Sequence, residues 1–182
     1  SAGRGKFSNV QNSRINKANY FVTDKKVFLI QLLKEIKREI KKASDKDEKI
    51  AFRLNGTSDI DFLYLLNKNL DFDIELLNYD KVYFYDYTKS IARAKRYKDF
   101  RNYTLTFSKS ETNDKEVKEA LNLGINVAAV FKDNLPQKYK GVKVIDGDLS
   151  DLEMINHKNI ILGLKAKGDA KKDTTGFVIT NY

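Results

Sequence analysis

From Asp24 onward, apolar residues recur at helical spacing. Val27, Ile30, Leu33, Ile36 and Ile40 are separated by Lys and Glu, a pattern that predicts an amphipathic helix running to about Ala43. Thr23 or Asp24 suits its N-cap, because a side-chain oxygen there can accept a free backbone N–H. "SDKDE" reads as the loop that follows. The pattern then alternates. Strands are predicted over Lys49–Leu54, Lys81–Asp86 ("KVYFYD"), Tyr103–Phe107 ("YTLTF"), Ile125–Phe131, Val142–Ile145 and Asn159–Leu164. Helices are predicted over Ile60–Leu70, Ser90–Asp99 and Asp114–Leu123, the last ended by Gly124, which tolerates a left-handed C-terminal cap. Residues 1–22 lack such periodicity and read as a basic, partly irregular arm with a short helix around Asn9–Lys17. Residues 23–182 are expected to form one domain.

Continuous apolar strands alternating with amphipathic helices point to an α/β fold with a mostly parallel sheet of five or six βα units. That is fewer than a closed eight-unit barrel needs, so a partial TIM-barrel-like arrangement is expected. If the strands are parallel, their polar endings share one rim, where such folds bind ligands. The first strand runs into Asn55, Gly56, Thr57, Ser58 and Asp59, and the second into Asp86 and Lys89. The third runs into Ser108, Ser110, Glu111 and Asn113. Later strands end at Asp146 and Asp148, and at Lys165 and Lys167.

Each ending has a plainer alternative. Residues 55–59 could be a turn and helix cap, and Asp59 and Asn113 simply caps. Asp86 and Lys89 could form a surface ion pair. Asp146 and Asp148 flank Gly147 as in a hairpin turn, or could bind Mg²⁺ through oxygen. Lys165 and Lys167 lie two apart on a strand end and so project the same way, towards a phosphate or towards solvent. Asp86 and Glu111 are the candidate catalytic base or nucleophile. Asn55, Thr57, Ser58, Asp59, Lys89, Ser108, Ser110, Asn113, Lys165 and Lys167 are the candidate substrate and phosphate ligands.

Charge sharpens this picture. The 182 residues hold 34 Lys and Arg against 25 Asp and Glu, a net charge of +9, which favours polyanions such as nucleic acid. The densest basic run is Arg93, Lys95, Arg96, Lys98 and Arg101, with Tyr97, Phe100 and Tyr103 between. It suits single-stranded nucleic acid by phosphate contact and base stacking, unless the aromatics are core and the cations a solvated face. No apolar run is long enough to span a membrane, and no signal-peptide core opens the chain. The absence of cysteine removes disulfides and thiolate metal sites. His157 is the sole histidine, which argues against His-rich zinc sites and a Ser–His–Asp triad. "GDAKKDTTG" lacks the order of a phosphate-binding P-loop.

The segments "AGRG" (Ala2–Gly5), "RLNGTSD" (Arg53–Asp59), "YDYTK" (Tyr85–Lys89), "LTFSKSETN" (Leu105–Asn113), "NVAAVF" (Asn126–Phe131), "VIDGD" (Val144–Asp148) and "GLKAKGDAKKDTTGFV" (Gly163–Val178) follow in order along nearly the whole chain. Together they resemble a family of largely uncharacterised proteins encoded by bacteriophages and prophages. In that family a C-x-x-x-C-L segment precedes "AGRG"; here it is absent. The resemblance therefore implies a truncated or internally started form, or a segment left off. The family's cysteines and barrel-like units are similar to radical S-adenosylmethionine enzymes and to guanine transglycosylases. Without cysteines this chain cannot itself hold an iron–sulfur cluster. The expected function is nucleic-acid association, derived from a nucleic-acid- or nucleotide-modifying enzyme, in the host cytoplasm. The alternative is a non-catalytic phage protein that inhibits a host protein–nucleic-acid complex through its basic surface.

Overall fold

A run such as Val82-Tyr83-Phe84-Tyr85-Asp86-Tyr87-Thr88 has few options other than a strand, and in the computed structural model its side chains alternate between buried and half-buried. The structure describes residues 7–70, 72 and 80–181. In chain order the elements are α1 (Ser8–Thr23), α2 (Lys25–Asp45), β1 (Ile50–Phe52), α3 (Phe62–Leu70), β2 (Val82–Thr88), α4 (Ile91–Tyr97), β3 (Tyr103–Ser108), α5 (Asp114–Asn122), β4 (Val127–Phe131), β5 (Lys138–Tyr139), β6 (Val142–Asp146), α6 (Glu153–Asn156), β7 (Ile161–Lys165) and β8 (Val178–Ile179). A 3-10 turn, Gly168–Lys172, lies between β7 and β8. Contacts divide the chain into two compact units, Ser1–Ile50 with Asp61–Val82, and Ala51–Ile60 with Tyr83–Tyr182.

In the first unit α1 packs on α2, and α2 on α3. The expected irregular arm is instead one helix over Ser8–Thr23, none of whose residues is buried. The first six residues of that arm, with Arg4, Lys6 and the "AGRG" segment, lie outside the described residues. Asp24 caps α2 as expected, its carboxylate accepting the Val27 N–H at 3.4 Å. The fully inward face of α2 is Leu29, Ile36 and Ala43, so the predicted apolar stripe is offset and Val27 is exposed. Phe21 and Phe28 meet edge-on at 5.3 Å, and both contact the Phe62 ring, at 5.7 and 6.0 Å. Among the described residues no helix is long and apolar enough to cross a membrane.

The second unit carries the sheet, of order β1-β2-β3-β4-β7-β6-β5, with β8 beside β4. The pairs β2–β3, β3–β4, β4–β7, β6–β7 and β4–β8 are parallel, and β5–β6 is antiparallel. A mixed α/β fold on a mostly parallel sheet is thus what the chain adopts. The barrel-like expectation finds no support in this order. Neighbours are sequential from β1 to β4, but β4 then pairs with β7 and the order reverses, as in open, doubly wound sheets. Three short elements escaped the sequence reading. β5 and β6 form a hairpin whose turn residues Lys140 and Gly141 have φ of 49° and 81°, the left-handed pair that a two-residue turn requires. Of this pair only β5 was missed, since β6 is the strand predicted over Val142–Ile145; α6 and β8 are the other two. No hairpin forms at Asp146-Gly147-Asp148; Gly147 N–H continues the β7 ladder by donating to Gly163 O at 2.8 Å.

The two faces of this sheet differ. α4 and α5 pack against β3 and α5 against β4, on the face to which Asp86 and Thr88 belong. On the other face Met154 of α6 joins Ala128, Ile160 and Leu162, with Tyr85, Tyr87 and Ile145 against them. Buried Asn126 ties the α6 turn to the sheet, its amide donating to Met154 O (3.1 Å) and His157 O (2.8 Å). Gly163 of β7 stands opposite Asp146 of β6. A Cβ there would lie 2.7 Å from Val144 Cγ1 and 2.9 Å from Leu135 Cδ2. Gly163→Ala is therefore expected to destabilise the protein by about 1–3 kcal/mol in urea unfolding, as overpacking does. Unchanged stability would show that this crossing is loosely packed.

Candidate functional site at the carboxyl edge of the sheet

After β1 the chain turns on Asn55, which is 2% exposed. Its carbonyl oxygen accepts from Ser58 Oγ (2.7 Å) and Ile60 N (3.0 Å), and its amide donates to Ile60 O (2.9 Å). One side chain thus closes the loop 55–60 upon itself. The same amide donates to Asp86 Oδ2 at 2.6 Å and fastens the loop to β2. Asp59 does not cap a helix. Its Oδ2 accepts from Thr88 Oγ1 (3.0 Å) and Lys89 N (2.8 Å), and its Oδ1 from Arg93 at 2.6 Å. Thr57 is exposed, as is the Lys89 side chain.

Asp86 and Lys89 are not a surface ion pair. Asp86 is 1% exposed, and the cation near it is Arg93, at 3.6 Å from Oδ2. Arg93 also donates to the Tyr103 hydroxyl at 2.6 Å. Burial pushes the Asp86 carboxyl up to about 6, although the Asn55 hydrogen bond and the Arg93 and Arg53 charges act in the opposite direction. Its second oxygen, Oδ1, is enclosed and has no hydrogen-bond partner among the described residues. On the opposite face Arg53 donates to Asn55 O and Asp151 (both 3.0 Å) and covers the Tyr87 ring at 4.9 Å. Tyr87 donates to Asp151 at 3.2 Å; burial first, then the Asp151 charge, raises its phenol.

The basic run needs correction. Arg93, placed on a nucleic-acid surface from the sequence, is an interior cation, 5% exposed. Tyr97 and Tyr103 are buried and pack edge-on at 4.8 Å, with Phe100 5.2 Å from Tyr97, so these rings face the core rather than bases. The cause is helical spacing: Arg93, Ala94 and Tyr97 share the inward face of α4, while Lys95, Arg96 and Lys98 point outward. Lys95 pairs with Glu119 and Lys98 with Asp99; Arg101 is exposed.

At the end of β3, Asn113 stands at the N-cap position of α5 but turns back. Its carbonyl accepts from Ser110 N (2.7 Å) and its amide donates to Ser108 O (2.9 Å), which shapes the loop 108–113. Ser108 is half-buried, Ser110 buried and Glu111 exposed. Lys109, passed over in the sequence, is buried and donates to Ser110 O and Gly176 O, both at 3.1 Å. At the ends of β6 and β7, Asp146 accepts from Asp148 N at 2.9 Å. Asp148 accepts from Lys165 N (3.0 Å) and Lys167 Nζ (2.7 Å). Burial works to raise the Asp148 carboxyl, but these two bonds outweigh it and hold it below its ordinary value. Among the described residues no three His, Asp or Glu side chains gather as a metal site.

The expected rim is therefore one edge with two separate clusters. Asn55, Asp59, Asp86 and Arg93 stand around β1, β2 and α4; Asp146, Asp148, Lys165 and Lys167 stand around β6 and β7. The loop 108–113 follows β3, which pairs with β2 on one side and β4 on the other.

Fold and edge together define an α/β protein on an open, mostly parallel sheet whose strand ends carry interlocked carboxylates and cations. The chain matches the family described as Gene product 88 over residues 1–181 and belongs to that family, a phage protein family. No curated protein and no solved structure gives a significant match.

The raised Asp86 carboxyl has a consequence for stability. A carboxyl that holds its proton more tightly folded than unfolded favours folding at low pH, and that contribution is lost as pH rises from 3.8 to about 6. Asp86→Asn, which mimics the protonated form, removes this dependence. Relative to that variant, the wild type is expected to lose about 3 kcal/mol between acid pH and pH 7 in urea unfolding, the free energy that a rise from 3.8 to about 6 represents. A difference constant with pH would show that Asp86 titrates as an ordinary surface carboxylate.

Proposed function

We propose that this phage protein binds nucleic acid through cations at the carboxyl edge of its sheet. The observation that supports this reading is how the edge distributes its charges. Its carboxylates turn inward: Asp59 onto Thr88, Lys89 N and Arg93, Asp148 onto Lys165 N and Lys167, and Asp173 onto Val178 N at 3.0 Å. The side chains of Lys89, Lys165, Lys171 and Lys172 are exposed on the same segments. These three carboxylates are engaged within the fold, the four lysine side chains beside them are exposed, and the chain as a whole carries a net charge of +9. Phosphates are the polyanion that such an edge fits.

A second reading has its own observation. Asp86, with a pKa raised to about 6 and an oxygen that has no hydrogen-bond partner among the described residues, has the character of a group that exchanges a proton near neutral pH. In that reading the chain acts on the nucleic acid it holds, with Asp86 rather than exposed Glu111 as the acid or base.

With a labelled single-stranded oligonucleotide, binding is expected at low salt and should weaken about tenfold or more between roughly 50 and 200 mM salt. Lys89→Glu with Lys165→Glu should weaken it across all sequences and flatten the salt dependence. Asp86→Asn should leave affinity within about twofold if the edge only binds. Loss of turnover with intact binding in that variant would favour the second reading. Absence of binding at low salt would overturn both.

A further inference from the structure

Lys109 is 6% exposed, and its ammonium has three hydrogens to place. Two go to the carbonyls of Ser110 and Gly176. Among the described residues no carboxylate pairs with it, in contrast to the other buried cation of this edge, Arg93, which has Asp59 and Asp86. A buried charge without a counter-charge is costly, and carbonyl dipoles neutralise it only in part. Beside it, Ser110 is 7% exposed. Its N–H is taken by Asn113 and its carbonyl by Lys109, but its hydroxyl has no partner among the described residues.

The position is also special in the sheet. β3 pairs with β4 at Phe107 and Ser108, and Lys109 N–H makes a last bond to Ala128 O at 2.9 Å. Beyond that point β4 changes neighbour and pairs with β8 at Val130 and Phe131. Lys109 therefore stands where the carboxyl edge splits, outside the carboxyl ends of the strands, the side of open α/β sheets on which ligands bind. The loop across the split is itself well built. Asp173 accepts from Thr175 Oγ1 (2.7 Å) and Val178 N (3.0 Å), and Gly176 takes φ of +91°, which presents its carbonyl to the lysine.

We propose that Lys109 and Ser110 form an anion subsite for a phosphate group, whose oxygens take the third ammonium hydrogen and the Ser110 hydroxyl. The assignment to phosphate, rather than to another oxyanion, rests on the nucleic-acid reading above. The phosphate could belong to a nucleotide or to a nucleic-acid backbone, and the probes separate these sources. The full chain is titrated with inorganic phosphate, a 5′-mononucleotide and an oligonucleotide at ionic strength held constant with chloride, and followed by thermal unfolding and calorimetry. Phosphate is expected to raise the unfolding midpoint of the wild type. Lys109→Met should weaken its binding by about tenfold or more, as loss of a charge-assisted contact does. Because that variant also loses the tether to Gly176, Ser110→Ala, which keeps the tether, provides a second measure and should weaken phosphate binding severalfold. Tighter mononucleotide than oligonucleotide binding would identify a nucleotide pocket; the reverse would identify a backbone contact. A wild type indifferent to all three probes, or variants that bind phosphate like the wild type, would overturn the subsite. Mononucleotide and oligonucleotide binding both untouched by Lys109→Met would overturn the subsite alone, and phosphate binding without oligonucleotide binding would overturn the nucleic-acid reading alone.

Discussion

The carboxyl edge depends on one buried cation. Arg93 projects from α4 into the sheet, where its guanidinium meets Asp59, Asp86 and the Tyr103 hydroxyl. Its planar fork lets one side chain address partners on three segments: the loop after β1, the middle of β2 and the start of β3. A network of this kind need not add much net stability compared with an apolar core, because desolvating the charges offsets their attraction. Its effect is on specificity. With Arg93 in place Asp59 has a fixed position, and that fixes the N–H of Lys89 and the hydroxyl of Thr88. Asn55 performs the same task from the other side, since its amide joins Asp86 to a loop that it also closes internally.

This arrangement engages carboxylates of the edge within the fold while neighbouring lysine side chains stay exposed. Asp59 accepts from Lys89 N, Thr88 and the interior Arg93, while the side chain of Lys89 is left outside. The same division recurs at β6 and β7, where Asp148 accepts from Lys165 N while the Lys165 side chain is exposed. Asp86 is the exception, a carboxyl buried deeply enough that desolvation outweighs its partners. Burial thus holds its pKa up, to about 6, against the pull of Asn55 and Arg93.

Much of the sheet was legible because β-branched and aromatic runs bounded by polar loops have few alternatives to a strand. Every predicted strand is present, and Asp24 caps α2 as its position suggested. Strand order was not legible, since βα units carry the same periodicity whether they continue sequentially or reverse after β4. The hairpin at Lys140-Gly141 escaped because lysine is an unusual residue at positive φ, whereas Asp146-Gly147-Asp148 had turn chemistry but continues a parallel ladder. At the candidate site, Asn55, Asp59 and Asp86 were singled out by their residue types and the structure brings them together, but their partner Arg93 was hidden in a basic run. Its spacing to Tyr97 placed both on one helical face, and that signal was outweighed by the density of charge around it. Lys109 was missed for a similar reason: between Ser108 and Ser110 it reads as part of a solvated ending, and only the loop carrying Gly176 encloses it.

The central claim is that Arg93 holds the edge together, and Arg93→Met tests it most directly by hydrogen exchange and urea unfolding of the same sample. The account predicts a loss of about 3–5 kcal/mol, as removal of one partner from a buried charge network brings. It also predicts that the N–H groups of Ile60 and Lys89, now held through Asn55 and Asp59, exchange much faster, while the centre of β4 changes only in proportion to global stability. A loss below about 1 kcal/mol, with protection at Ile60 and Lys89 unchanged, would contradict it and would mean that the loop after β1 is held by its own internal bonds.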